Sequence, residues 1–411
     1  MKTFIKIAWR NIFRNWRRSF FAILAIATGL GALIFVWAFV DGTNQQEVST
    51  YTSFLSGHIQ IHKTGFQREL SVFRALDNPS AILSEIAHQE NIEEFSERIE
   101  QRVLLSFADK TSGAILMGVD PEKESKITTL WKMMEHGRFL GPADQSGIVV
   151  GKDLAERFNL SLGSEVSVLA QAADGSLGAA KFKVIGIYHS GIDTIDRVYV
   201  FVTLPAAQDL FALWGRATGI VIKAKKIESV TNLQSSLSKE LGQGIEVLDW
   251  RKIIPELETS VILHEVEATI ILAIVFLIVA IGILNTVLMS VVERVREFGI
   301  MMALGTANLQ ITMLVVMEAF LLGTVGVILG GVGGLIVTSI LGKRGIDLTS
   351  YMEFLQASPR TPDIIYPILR LDRIILLAGL VLMVTIFASI YPAVKAARYQ
   401  PVVAIRTGET V

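Results

Sequence analysis

The most distinctive chemistry in this sequence is a short run of opposite charges between two long apolar stretches. Residues 293–297 read Glu-Arg-Val-Arg-Glu, and Gly299 and then Leu304 and Gly305 follow. Opposite charges placed this closely give an interface its register and specificity more than its raw affinity. The residues allow two interpretations: a solvated turn whose charges keep it out of lipid, or a short helix with a glycine stop that lies on the membrane surface and offers its side chains to a soluble partner.

The stretches around this run are apolar enough to cross a membrane. The 411 residues are 51% hydrophobic with a mean hydropathy of +0.49, which is too apolar for an ordinary soluble protein. A span needs about 20 mostly apolar residues. Four stretches satisfy this, and they predict four transmembrane α-helices at 19–40, 268–292, 311–341 and 374–394.

The N-terminus predicts which side of the membrane the chain starts on. Residues 1–18 are basic and amphipathic, as in a helix that lies in the headgroup layer. Their apolar side chains share one face: Ile5, Trp9, Ile12, Phe13 and Trp16. The first span is too long for a signal peptide and is expected to remain as an anchor. The cations before it predict a cytoplasmic N-terminus, and four spans return the tail, residues 395–411, to the same side.

Residues 41–267 contain no further span and predict a large extracytoplasmic α+β domain with helical stalks next to spans one and two. Its acidic excess argues against a nucleic-acid partner. Alternating or apolar runs predict strands at 58–62, 114–118, 147–151, 165–170, 181–187, 198–202 and 219–222. Helices are predicted at 80–100, 152–158, 205–213 and 229–241. Residues 342–373 form a second outer loop.

No catalytic or metal-binding constellation stands out in the sequence. There is no cysteine, and the G-x-x-x-x-G-K-[ST] phosphate loop is absent. His264-Glu265 begins an H-E-x-x-H pattern, but Ala268 occupies the second histidine position. His58 and His62 lie on the same face of one predicted strand, where ordinary exposed polar residues are the favoured interpretation and a metal pair is the alternative. We therefore predict no catalytic residue, no metal ligand and no cofactor bound by this chain.

The third span has two unusual features. The first is its glycines: Gly323, Gly326, Gly330, Gly331, Gly333 and Gly334. Small residues let helices approach closely in lipid, so close packing is the interpretation we favour. The second is Glu318, because an acid at membrane depth is a functional candidate by default. An interfacial position or a hydrogen bond to a neighbouring helix is the alternative for Glu318.

Several motifs, taken together with their order and spacing along the chain, resemble those of the FtsX/MacB-like (type VII) ABC permeases. Besides the charged run, the matching segments are residues 8–11, 118–121, 137–140, 150–155, 184–187, 199–202, 284–286, 391–397 and 401–406. Within that superfamily the sequence looks most like the lipoprotein-releasing-system permeases. The charged run stands where the family has its coupling helix, within residues 293–310.

The resemblance implies a function and a set of partners. Such a permease would extract lipoproteins or similar amphiphiles from the outer leaflet of the bacterial inner membrane by mechanotransmission. It would be driven by a separate cytoplasmic ATPase dimer, which carries ATP and Mg, and would pair with a second permease copy or a homologue. The ATPase would dock on Glu293, Arg294, Arg296, Glu297, Gly299, Leu304 and Gly305.

The resemblance also implies a substrate cleft beside spans one and two. Acyl chains would contact one stripe of span one, made of Phe20, Ile23, Ala27, Leu30 and Ile34, although span packing explains the same stripe. One relative carries a hairpin hook for a periplasmic carrier, but the corresponding segment 171–180 is short and lacks an aromatic or proline hook. The alternatives are a MacB-like efflux permease with a periplasmic adaptor and an FtsX-like regulator of a cell-wall hydrolase.

Overall fold

The computed structural model describes residues 8–12, 14, 16–349 and 364–400. The remaining residues of the predicted N-terminal helix, of the predicted outer loop and of the C-terminal tail lie outside the described residues. The chain forms two compact units. We call Gln46–Ser260 the domain unit. The described residues before Gln46 and after Ser260 are the membrane unit.

The helices follow the apolar and amphipathic stretches of the sequence. They are α1 (Trp16–Tyr51), α2 (Phe66–Glu69), α3 (Pro79–Ile86), α4 (Pro121–Ile127), α5 (Lys152–Phe158), α6 (Asp193–Val198), α7 (Leu204–Phe211), α8 (Val230–Glu240), α9 (Trp250–Ile253), α10 (Pro255–Glu293), α11 (Val295–Ala303), α12 (Asn308–Arg344) and α13 (Leu371–Ala397). Residues 8–12 are also helical. Helix α1 continues into a π-helical turn, Thr52–Ser56.

Four of these helices, α1, α10, α12 and α13, are long and apolar enough to cross a membrane. The predicted membrane fold is therefore confirmed. Helices α1 and α10 extend well beyond their apolar stretches, with 36 and 39 residues. At 1.5 Å per residue they are roughly 54 and 58 Å long, whereas the hydrocarbon core is about 30 Å thick.

Glycine decides how the membrane unit packs. A Cβ on Gly330 would come within 2.6 Å of the Ala27 carbonyl oxygen of α1, and one on Gly326 within 2.7 Å of Ile26. A Cβ on Gly323 would meet Thr385 of α13 at 2.9 Å. These contacts confirm the packing interpretation for the faces of α12 that touch α1 and α13. A Cβ on Gly331 or on Gly333 would have no such neighbour within 4 Å, so these two glycines are not required by packing.

The domain unit is built on a ten-stranded mixed sheet. Its strands are β1 (Ile59–Lys63), β2 (Ile92–Phe107), β3 (Lys110–Val119), β4 (Met134–Gly137), β5 (Gly147–Gly151), β6 (Glu165–Gln171), β7 (Leu177–Tyr188), β8 (Tyr199–Thr203), β9 (Gly219–Ala224) and β10 (Ile245–Asp249). The spatial order is β10-β1-β9-β2-β3-β8-β5-β7-β4, and β6 pairs with β2 and β7. Two short strands, β11 (Ile346–Asp347) and β12 (Ile364–Ile365), pair in the membrane unit.

The β3–β8 and β5–β7 pairs are parallel and the others antiparallel. Strand β5 is buried along its whole length, as expected of an apolar strand inside a mixed sheet. Mixed strands and helices confirm the predicted α+β class.

All seven predicted strands are present, but the predicted helix at 80–100 is correct only as far as Ile86 and wrong from Ile92 onward. Helix α3 ends at Ile86, and strand β2 begins at Ile92. The glutamates of this segment favour a helix in isolation. Its pairing with β9 and β3 buries Ser96, Arg98 and Ile99 instead, and such tertiary burial overrides local propensity.

A buried ion pair joins β2 to the end of the first long helix. Arg98 and Glu124 are both almost fully buried and form two hydrogen bonds, of 2.7 and 3.0 Å. Thr128 also donates to Glu124, at 2.8 Å. Arg98 Nη1 donates to the carbonyl oxygen of Leu55 at 2.5 Å, so the ion pair supplies a donor to the π-helical turn. Helix ends leave such carbonyls without intrahelical partners.

We expect Glu124→Gln to destabilise the domain unit strongly. It would leave the Arg98 charge buried without its counter-ion, which costs roughly 3–5 kcal/mol. Thermal unfolding of the full chain in detergent would measure the change. Glu69→Gln is the control, because the Arg74–Glu69 pair is exposed and such pairs contribute little. Equal effects of the two variants would contradict the prediction.

A second expectation concerns pH. Burial raises the pKa of Glu100 from 4.5 to about 7, and Arg98 and Arg102 offset only part of this. The unfolded chain therefore loses its proton at lower pH than the folded chain does. Stability falls as pH rises from about 4.5 to about 7, and the loss remains at higher pH.

Glu100→Gln should remove this loss. Its melting temperature relative to the wild type should be unchanged near pH 4.5 and higher above pH 7. A constant difference at every pH would show that Glu100 does not titrate in this range.

Candidate functional site

The charged run of the sequence sits in a helix–break–helix segment of the membrane unit. Helix α10 ends at Glu293, and Arg294, with φ −107° and ψ 11°, separates it from α11. Helix α11 ends in a Schellman motif: Thr306 N donates to Met301 O, Gly305 N donates to Met302 O, and Gly305 has φ +93°. Glycine adopts this left-handed conformation without strain, so the predicted glycine stop is confirmed.

Arg294 is the centre of the site. Only 6% of it is exposed, and its Nη1 donates to Glu318 Oε2 of α12 at 2.8 Å. Its Nε donates to Glu297 Oε2 at 2.9 Å. Its guanidinium carbon lies 5.1 Å from the ring centroid of Phe298, within cation–π range. A guanidinium can bind two carboxylates at once because it carries five N–H donors in a rigid plane.

Two arginines from residues 1–18, which we call the N-terminal segment, extend this arrangement. Arg14 Nη2 donates to Glu297 Oε1 at 2.7 Å. Arg18 binds both carboxylate oxygens of Glu293, at 2.5 and 2.6 Å. We call these six residues the charge cluster: Arg14, Arg18, Glu293, Arg294, Glu297 and Glu318. It ties the N-terminal segment, the end of α10, α11 and α12 together by charge-assisted bonds.

The N-terminal segment reaches the cluster because the chain changes direction. Ser19 Oγ donates to the Ile12 carbonyl oxygen at 2.9 Å. In a straight helix seven residues rise about 10.5 Å, so this contact requires a bend between the two positions. Sequence reasoning missed the roles of Arg14 and Arg18. Their basic character suggested only headgroup contact, since nothing local indicates a partner almost 300 residues away.

Burial and pairing act against each other at Glu297. Burial raises the pKa of this carboxyl, but the hydrogen bonds from Arg14 and Arg294 outweigh that effect, and the net pKa lies below the ordinary value. Glu297 is therefore charged at neutral pH, and its charge is paired with Arg14 and Arg294 of the same chain.

The cavity beside the cluster is small. Arg18, Ser290, Arg294 and Glu318 are among the side chains that line it, and its volume is about 20 Å³. That is the volume one water molecule needs, far below what an acyl chain would require. The cavity is part of the polar packing rather than a substrate site.

The predicted docking residues divide into two sets. Glu293, Arg294 and Glu297 bind partners within the chain, and Gly299 is buried. Arg296 and Gly305 are exposed, and 82% of Leu304 is exposed. Three further exposed apolar side chains belong to the same stretch of sequence, residues 296–313: Ile300, Leu309 and Met313. We call Arg296, Ile300, Leu304, Leu309 and Met313 the outer patch; none of these exposed residues belongs to the charge cluster.

The predicted cleft stripe on α1 is divided too. Half of Phe20 is exposed, whereas Leu30 and Ile34 are fully buried. The backbone of Ala27 and the side chain of Ile34 lie against Gly330 and Gly334 of α12. Most of the stripe therefore packs against the third span. A role of Phe20 or Ile23 in holding acyl chains stays a prediction.

The described residues contain no group of three or more side chains that could hold a metal ion. His58 Nδ1 accepts from the Ala224 backbone N–H at 2.9 Å, and both ring nitrogens of the buried His62 have partners. Burial lowers the pKa of His62 to about 4. These contacts explain both histidines as structural residues of the sheet.

The chain matches two protein-family models. Residues 19–240 match the family model of the MacB-like periplasmic core domain, and residues 269–401 match that of the FtsX-like permease C-terminal region. The chain belongs to the FtsX/MacB-like family of ABC transporter permeases. The outer patch and four members of the charge cluster, Glu293, Arg294, Glu297 and Glu318, lie in the FtsX-like region, whereas Arg14 and Arg18 precede the MacB-like region.

Relatives of similar length are named for lipoprotein release. The lipoprotein-releasing system transmembrane protein LolC of Xylella fastidiosa (strain Temecula1) is 24% identical over 406 residues, covering 94% of this chain and 93% of that protein. LolE of Haemophilus influenzae is 21% identical over 426 residues and covers 98% of both chains. Among solved structures, the periplasmic region of MacB from Actinobacillus actinomycetemcomitans covers 52% of this chain and 98% of that one, with 16% identity and a TM-score of 0.37.

The cluster gives a prediction about stability in the membrane unit. Glu318→Leu should destabilise it by roughly 3–5 kcal/mol, because Arg294 loses its buried partner on α12. Arg294→Leu should have a similar effect. The double variant Arg294→Leu/Glu318→Leu should recover much of the loss, since no unpaired charge remains buried.

Thermal unfolding of the three variants in detergent gives the coupling energy of the pair. If the two single effects simply add in the double variant, the pair does not stabilise the unit in this way.

Proposed function

We propose that this chain is the permease subunit of an ATP-driven complex that extracts lipoproteins, or similar amphiphiles, from the outer leaflet of the bacterial inner membrane. The observation that carries the proposal is the similarity to LolC and LolE along nearly the whole length of both chains. MacB relatives are also similar, but the chain spans only 54% of MacB from Marinobacter nauticus.

The outer patch is the proposed docking surface for the ATPase. Within the described part of the chain Arg296 forms no ion pair, whereas Glu293 and Glu297 do, and the other side chains of the patch are exposed and apolar. Interface energy typically comes from a few apolar or arginine anchors, with charges that set the register. ATP and Mg would be bound by the ATPase, and this chain would hold no cofactor.

The charge cluster would then pass the motion on. Glu293 is the last residue of α10, and the same uninterrupted helix begins at Pro255, within the domain unit. A displacement of α11 would reach α12 through the side-chain bonds of Arg294, and it would reach α10 through the backbone, because Arg294 is the residue between the two helices. The chain would thereby convert closure of the ATPase into movement of its long helices, without a channel through the permease.

The docking proposal predicts that Leu304→Asp loses the ATPase. An acid in the apolar centre of the patch should weaken co-purification roughly tenfold or more. Leu177→Asp is the matched control, because Leu177 is similarly exposed, at 74%, but lies in the domain unit. Normal recovery of the ATPase with Leu304→Asp would rule out this surface.

Glu297→Lys is a less specific test of docking. It should also impair association, but it breaks the bonds of Glu297 to Arg14 and Arg294. Its melting temperature should fall, whereas that of Leu304→Asp should not.

The proposed topology places both termini and the outer patch in the cytoplasm. Because the chain has no cysteine, single-cysteine variants can be labelled without background. In spheroplasts a membrane-impermeant maleimide should label Leu177→Cys directly and Leu304→Cys only after permeabilisation. The reverse pattern would invert the topology.

The substrate is tested in proteoliposomes that contain the chain and its co-purifying ATPase. Transfer of a triacylated lipoprotein to a soluble acceptor should require ATP and the acyl chains. ATP hydrolysis without any transfer would contradict the substrate proposal while leaving the permease assignment intact. Recovery of an efflux adaptor or a cell-wall hydrolase with the complex would favour the corresponding alternative function.

A further inference from the structure

A basic groove lies at the N-terminal end of α1, beside the charge cluster. It is lined by Arg14, Trp16, Arg17, Arg18 and Glu293, with a volume of about 320 Å³. This is much larger than the cavity at Arg294 and is of the size of small-ligand pockets. Three guanidinium groups and one carboxylate face it, so the groove is positively charged.

The three arginines are not equally engaged. Arg18 is held by both oxygens of Glu293, and Arg14 by one oxygen of Glu297. Within the described part of the chain, no carboxylate lies within ion-pairing distance of Arg17. Its guanidinium carbon lies 5.9 Å from the ring centroid of Trp16, a cation–π contact that positions the charge without neutralising it.

The rim of the groove is typical of a membrane interface. Trp16 is 63% exposed, and Phe20 and Phe21 at the start of the span are 51% and 67% exposed. Exposed aromatic rings beside arginines mark the level of the headgroups, where an indole contacts both the polar layer and the acyl chains. The groove therefore opens at the depth where lipid phosphates lie.

We propose that this groove binds the phosphate of an anionic phospholipid from the leaflet that borders the N-terminal end of α1. Arg17 is the principal ligand, because its guanidinium can offer two parallel N–H donors to phosphate oxygens. The positive charges of Arg14 and Arg18 add electrostatic attraction for the phosphate. Glu293 competes with the phosphate for Arg18, so binding is weaker than three free arginines would give.

This inference rests on the placement of the chain in a membrane and not on its substrate or its ATPase. The lipid-binding proposal and the proposed function can therefore fail separately. It also separates Arg17 from the charge cluster: Arg17 can be changed without breaking any of the bonds that connect Arg294 to its partners.

The experiment uses the full chain in a neutral detergent, titrated with phosphatidylglycerol. Native mass spectrometry measures the fraction of chains that retain one lipid. Arg17→Ala should weaken retention roughly fivefold, the effect of about one interfacial cation. Glu293→Gln should strengthen it by a similar factor, because the competing carboxylate is removed. The control, Arg10→Ala, changes an exposed arginine of the same segment that does not line the groove and should have no effect.

The opposite signs expected for Arg17→Ala and Glu293→Gln keep the test independent of folding defects. Phosphatidylcholine should be retained more weakly than phosphatidylglycerol, and inorganic phosphate at matched ionic strength should not displace the lipid. Equal retention of the two lipids, or equal loss with Arg10→Ala and Arg17→Ala, would overturn the site. Full displacement by inorganic phosphate would reassign it to a free anion.

Discussion

The arrangement of the membrane unit depends on one constraint: the buried guanidinium of Arg294 must be paired with carboxylates. A charge in a medium of low dielectric constant is costly unless it is paired and hydrogen-bonded. Arg294 meets this requirement with Glu318 on one side and Glu297 on the other. Because its partners belong to different helices, the same bonds that stabilise the charge also hold α11 against α12. A segment that looks like an exposed loop in sequence is thereby fixed to the spans.

The spans themselves are held together by close backbone approach. Gly326 and Gly330 of α12 leave no room for a side chain against α1. In lipid, helices associate through such packing rather than through a hydrophobic driving force between them. Helix α1 thus contacts α12 along most of the stripe first considered for acyl chains, and only its N-terminal part, around Phe20, stays exposed. The exposed part and the basic groove lie at the same end of the helix, so the proposed headgroup site and the exposed rings of Phe20 and Phe21 are close in sequence.

In the domain unit, Arg98 and Glu124 play a comparable role. Both side chains are buried, and Arg98 donates to the carbonyl oxygen of Leu55 in the π-helical turn. Both units therefore use a buried arginine to fix the end of a long helix or the segment that follows it. If the long helices carry movement, as we propose, these are the two points at which a rigid connection is required.

The amino-acid sequence alone determined the class of the protein. Four apolar stretches, a basic N-terminus, short strand patterns and the Gly305 stop were all readable, because hydrophobic periodicity and left-handed glycine are local properties. The sequence also located the charged run, but it did not reveal which of its charges face inward. That was decided by partners far away in the chain, Arg14, Arg18 and Glu318. The conversion of residues 92–100 from an expected helix to a strand has the same cause, since only pairing with β3 and β9 makes the extended form favourable. Non-local pairing of charges and strands has no signature in a single sequence, and only the tertiary structure could decide it.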